Sequence, residues 1–131
     1  MRALELEEKF YGPRDGQLCI TLTNLAKTYD AMGRPDDAAR ALERSVTIRE
    51  VADPRTLVSS LMPLAEHYEQ FKQYPEAEAV YKRVLVIFEA RGGPKNPSLK
   101  PILERLASIS ANRGNAVAAK SQAARAAALP D

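Results

Sequence analysis

Apolar and small residues recur along this chain at spacings of three, four and seven, and the whole pattern then returns. Residues 25–45, LAKTYDAMGRPDDAARALERS, are followed by LAEHYEQFKQYPEAEAVYKRV at 64–84, with Leu, Ala, Tyr and a later Ala at common offsets. Placing Leu25 over Leu64 and Leu106 needs steps of 39 and 42 residues. Ala26, Ala65 and Ala107 then coincide, and Tyr29 falls on Tyr68, with Ser110 breaking the pattern. Further along, Ala38, Ala77 and Ala119 align, followed by Leu42, Tyr81 and Ala123, then Ser45, Val84 and Ala126. Spacings of this kind mark one face of a helix.

Each copy divides at a turn: Met32-Gly33-Arg34-Pro35, then Lys72-Gln73-Tyr74-Pro75, then Arg113-Gly114-Asn115. Gly33 and Gly114 suit the left-handed residue that closes a helix, and Pro35 and Pro75 suit the first turn of the next. Each copy is therefore expected to be a helical hairpin. Helices approach to about 8–10 Å only where the side chains between them are small, so the aligned alanines mark where the two helices cross. One hairpin cannot bury its apolar stripe alone, and neighbours must stack.

This pattern resembles the tetratricopeptide repeat, in which a small residue follows a Leu, an aromatic comes next, and a second small residue opens the partner helix. The segments RALELEEKFYGPRDGQL and KRVLVIFEARGGPKNPSL, with the 42-residue step, look more like the longer kinesin-light-chain type. The resemblance implies an all-α, right-handed superhelical stack of antiparallel helical hairpins in a single domain. Its expected parts are a half repeat at 2–11, hairpins at 15–51 and 53–91, and a degenerate C-terminal capping hairpin at 96–129. Asp15, Asp53 and Asn96 fit the N-cap role, with Pro54 and Pro97 just inside.

Departures between the copies carry further expectations. Pro63 lies inside a helical run, where it removes one backbone bond and should kink the helix. Pro101 would do the same unless Ser98 is the cap and Pro101 lies in the free first turn. AVAAKSQAARAAAL has small residues where earlier copies have Leu, Tyr and Val, and reads as a terminal cap ended by Pro130. Arg2-Ala3-Leu4 aligns with Arg83-Val84-Leu85, so residues 2–11 resemble the second helix of a repeat whose first helix is missing. Leu4, Leu6 and Phe10 would then be self-association candidates, unless the chain is part of a longer array.

Composition narrows the chemistry. A net charge of +2 over 131 residues, with charges of both signs interspersed, announces neither a nucleic-acid nor a membrane-surface partner. RNA binding is disfavoured because the aromatics mostly occupy packing positions. No run approaches the 18 apolar residues of a membrane span, and the acidic N-terminus is unlike a signal peptide. A cytoplasmic location is the expectation. One cysteine excludes an internal disulfide, and one histidine leaves no metal-ligand cluster.

Catalysis needs a positioned nucleophile, base or metal. His67 precedes a core-type tyrosine and is expected on the outer flank of its helix, solvated. Cys19, near a helix start, is expected to be a half-buried packing residue. Arg91-Gly92-Gly93-Pro94-Lys95 lacks the strand–loop–helix framing of a phosphate loop and reads as an inter-repeat turn. No enzymatic function and no cofactor are expected.

Binding suits the architecture better, since the first helix of each hairpin in such a stack lines the concave side. Counting from the aligned Leu, the groove candidates are Ile20, Thr23, Asn24 and Lys27 in the first copy. Ser59, Met62 and Glu66, with Pro63, follow in the second, and Glu104, Arg105 and Ser108, with Pro101, in the third. A peptide of a partner protein would lie there, with Ile20 and Met62 as apolar floor and Asn24 and Arg105 bonding its backbone or an acidic side chain. The resemblance implies no carboxylate clamp, because Pro63 and Pro101 occupy two clamp positions. Nor does it carry over kinesin-light-chain cargo specificity, because Thr23 stands before Asn24 in place of a second Asn. The alternative is a structural scaffold or homo-oligomer built through the N-terminal half repeat.

Overall fold

The computed structural model describes residues 16–52 and 56–129. The half repeat at 2–11 with Leu4, Leu6 and Phe10, the caps proposed at Asp15 and Asp53, Pro54, and the stop at Pro130 lie outside the described residues. Those described form six helices and no strand: α1 (Gly16–Ala31), α2 (Pro35–Ala52), α3 (Val58–Gln70), α4 (Tyr74–Gly92), α5 (Leu99–Asn112) and α6 (Ala116–Ala127). By their packing they fall into two compact units, Met1–Leu64 and Ala65–Asp131.

The three turns inside the hairpins share one geometry. Gly33, Lys72 and Gly114 all have positive φ, at 74°, 60° and 77°. The next residue's N–H reaches back to a carbonyl five residues earlier, Arg34 to Tyr29, Gln73 to Tyr68 and Asn115 to Ser110, each at 2.8 Å. The positive-φ residues donate to Asp30, Glu69 and Ala111 at 3.0–3.1 Å. This is the paired closure that satisfies the orphan carbonyls at a helix end. In the first hairpin the Arg34 guanidinium carbon also lies 5.0 Å from the Tyr29 ring centroid. Each second helix opens at once: Ala38, Ala77 and Ala119 donate to the carbonyls of Arg34, Gln73 and Asn115. Pro35 and Pro75 fall in first turns, where a missing N–H costs nothing.

Within the first unit, α1 packs on α2 through Leu18, Leu22, Ala26, Tyr29, Ala38 and Leu42, all buried. A buried polar contact joins α2 to α3, where Ser45 Oγ lies 2.7 Å from Ser60 Oγ. Cys19 Sγ donates to the Ser45 carbonyl at 3.7 Å. Cys19 is therefore fully buried, at 1% exposure, and not half-buried as expected. It occupies the α1–α2 crossing, where a side chain of its size fits.

In the second unit α4 packs on α5 and α5 on α6. Leu99, Leu103, Ala126 and Leu129 form one buried cluster, with Leu85 and Phe88 packed against it. Ala65 and Ala77 are both at 0% exposure, the placement that the small-residue argument requires. His67 is also buried, at 4%, which overturns the expectation of a solvated outer flank. Its ring centroid lies 4.8 Å from that of Phe71, one turn further on, with the two planes tilted by 49°.

The prolines behave differently from each other. α3 continues as one helix through Pro63 without a break. The carbonyl deprived of a donor is that of Ser59, an exposed residue that water can reach. α5 has Ser98 as its N-cap residue and Pro101 in the free first turn, the second of the two alternatives. Asn96 is thus not the cap. Its side chain accepts from Ser98 N at 3.0 Å and donates to the Phe88 carbonyl at 2.9 Å, and Pro97 precedes the helix. A Cβ on Gly92 would come within 2.7 Å of Asn96 Nδ2, so this glycine admits the amide that ties the RGGPK turn to α4.

Candidate functional site

On α1, Ile20, Asn24 and Lys27 follow helical spacing and are exposed on the side away from the buried Leu18, Leu22 and Ala26. Ile20 keeps 51% of its surface and is one of several exposed large apolar side chains, with Met32, Val86 and Val117. Thr23 is half-buried, and its hydroxyl donates to the Cys19 carbonyl at 3.0 Å. That hydroxyl serves α1 itself and does not replace the absent second Asn. On α3, Ser59 and Glu66 are exposed, while Met62 and Pro63 are half-buried.

On α5, Pro101, Glu104, Arg105 and Ser108 line one depression of about 350 Å³. Arg105 is not a free cation there. Its guanidinium meets Glu69 Oε2 at 3.5 Å, with 61% of the Arg side chain still exposed. The other oxygen of Glu69 accepts from Tyr81 Oη at 2.9 Å. Burial, then the bond to Glu69, pushes the Tyr81 phenol well above its ordinary value.

Reading the sequence did not find the carboxylates that meet these arginines. Arg105 pairs with Glu69, Arg113 with Glu78 at 3.1 Å and Arg125 with Glu89. The sequence separations are 36, 35 and 36 residues. A near-constant separation, several residues short of the repeat, was the available signal. The Glu78 carboxyl is held below the usual carboxylate range first by the hydrogen bond from Lys82; burial opposes this, and the bond from Arg113 adds to the lowering. Among the described residues no group of three or more His, Cys, Asp or Glu is placed to hold a metal ion. Among them, too, no helix is long and apolar enough to cross a membrane.

A family model described as tetratricopeptide repeat matches residues 1–50. Two curated relatives, human and mouse tetratricopeptide repeat protein 19, mitochondrial, are each 30% identical over 112 residues. The match covers 83% of this chain, and only 28% and 29% of the relatives. Their mitochondrial designation lends nothing to a cytoplasmic expectation. Among solved structures, BtubC (BKLC) from P. vanneervenii matches with a TM-score of 0.78 at 17% identity, over 95% of this chain and 51% of that one. The repeated closures, the buried alanines at matched positions and these likenesses agree: the chain belongs to the tetratricopeptide repeat superfamily, a membership that points generally to a protein–protein interaction module.

Proposed function

We propose that this chain binds peptide segments of partner proteins on the outward faces of first helices, each unit by itself: α1 in the first and α5 in the second. The observation that carries the reading is Ile20, half-exposed on a helix whose opposite side is packed, with Asn24 and Lys27 beside it. An exposed aliphatic group flanked by an amide and an ammonium can bury a partner's apolar side chain while hydrogen-bonding its backbone. In the second unit, the depression at Pro101, Glu104, Arg105 and Ser108 offers a separate polar-rimmed contact. Nothing in this reading calls for a cofactor or a reaction.

The test is selection of dodecapeptides from a displayed library on the intact chain, with calorimetry on the selected peptides. Asn24→Ala and Arg105→Ala are each expected to weaken binding about five- to tenfold, and Ile20→Asp further, with melting temperatures within two degrees or so of the parent. Unchanged affinity in all three variants refutes the reading.

A further inference from the structure

Two opposite charges flank the depression on α5. Its lining residues, Pro101, Glu104, Arg105 and Ser108, follow the helix at spacings of three and four. At about 100° per residue, Pro101 and Ser108 fall within about 20° of one line along α5. Glu104 then lies about 50° to one side of that line and Arg105 about 50° to the other. Both are exposed, and the rise between them is only about 1.5 Å. A carboxylate and a guanidinium therefore stand on opposite rims of the depression at nearly one height.

The neighbours give the two charges different roles. Arg105 Nη1 donates to Glu69 Oε2 at 3.5 Å, and a guanidinium has further N–H donors for a second acid. Glu69 Oε1 accepts from the Tyr81 hydroxyl at 2.9 Å, so both oxygens of Glu69 are engaged. An incoming base is therefore met by Glu104. Lys100, one turn earlier and half-buried, lies with Glu104 beside a neighbouring depression, so the base reaches Glu104 from the Ser108 end.

We propose that this depression reads a charge pair in the bound peptide, an acid against Arg105 and a base against Glu104, with one residue between them. The inference rests on peptide binding at α5 and names the chemistry of the peptide. Charges on opposite rims at one height require the peptide to cross α5 and not to run along it. On a helix about 11 Å across, side chains about 100° apart hold their ends roughly 8 Å from each other. Alternate side chains of an extended strand share a face at about 6.6 Å, so an acid and a base at that spacing span the rims. The middle residue points away, and its backbone passes between Pro101 and the Ser108 hydroxyl. A peptide with acids at both positions is rejected, because its second acid would face Glu104.

The test selects displayed dodecapeptides on the full chain carrying Ile20→Asp, which disables the α1 surface, and on the same chain with Glu104→Gln or Arg105→Gln added. Peptides from the Ile20→Asp chain are expected to be enriched in an acid and a base separated by one residue. Glu104→Gln should remove the preference for the base alone, and Arg105→Gln that for the acid alone. Changing the acid of a selected peptide to its amide should cost about fivefold in affinity on the Ile20→Asp chain, and less than about twofold once Arg105→Gln is present. Peptides without the pair, a pair that survives both substitutions, or an acid whose loss costs the same in both chains would each overturn the inference and leave peptide binding in place. No peptide on the Ile20→Asp chain would overturn it too, and none on the parent either would overturn peptide binding itself.

Discussion

The three matched turns make a controlled comparison of backbone strain. Gly33, Lys72 and Gly114 occupy the same left-handed position, with the same back-bond of 2.8 Å from the following residue. Only Lys72 carries a side chain there. An L residue in this region costs about 1–2 kcal/mol, which glycine escapes. Against that, glycine's freer unfolded chain costs roughly 0.4–1 kcal/mol on folding. Lys72→Gly should therefore stabilise the chain by about 0.5–1 kcal/mol. Gly33→Ala and Gly114→Ala should each destabilise it by about 1 kcal/mol, the difference of the same two terms. A Cβ at Gly33 or Gly114 meets nothing within 4 Å, so no clash adds to either figure. Denaturant melts of the three variants measure the differences, and each kcal/mol should move the thermal midpoint by roughly 4 °C for a chain of this size. A neutral or destabilising Lys72→Gly, beside a neutral Gly33→Ala, would refute the strain argument.

Other outcomes follow from buried and charged contacts. Ser45→Ala removes one partner of a buried hydroxyl pair and should cost about 1–3 kcal/mol in a denaturant melt, with Ser45→Ala/Ser60→Ala costing less than the two single changes summed. Glu78 has a lowered carboxyl pKa in the fold, so the stability it contributes is present above its unfolded value and lost as pH falls through the folded one. Glu78→Gln should therefore lower the melting temperature at pH 7, and melts of variant and parent should converge at about pH 2. Cys19 is buried at the α1–α2 crossing, so a thiol reagent should modify it only after denaturant unfolds the chain, and prompt labelling of the native protein would contradict that packing.

The hairpins were legible because Ala26, Ala38, Ala65 and Ala77 are all buried, and close helix packing favours small residues at such positions even when their neighbours change. The Gly33 and Gly114 turns were legible for a parallel reason, whereas Lys72 hides its positive φ because nothing in a lysine announces one. His67 was misread because periodicity fixes a helix face only to within about one residue. Tyr68, assumed to point inward, is half-buried, and the buried position belongs to His67, one residue earlier. The spacing also placed Ile20, Asn24 and Lys27 on one helix face and Glu104, Arg105 and Ser108 around one depression.

What spacing along one helix could not supply was the state of Arg105. A cation on an outward helix face reads as a ligand for acidic groups, yet its neighbour in space is Glu69, 36 residues away. The pair is not a fixed staple, because most of the Arg105 side chain remains in water, where such a pair holds only about 0–1 kcal/mol. A partner's carboxylate can therefore compete for the guanidinium. A partner's lysine would find Glu69 already occupied by Arg105 and by the Tyr81 hydroxyl. The two cases separate in one variant. Arg105→Ala is therefore expected to weaken binding; a gain in affinity instead, from a base meeting the freed Glu69, would contradict the acidic reading. The sign of that effect reads out the partner's charge.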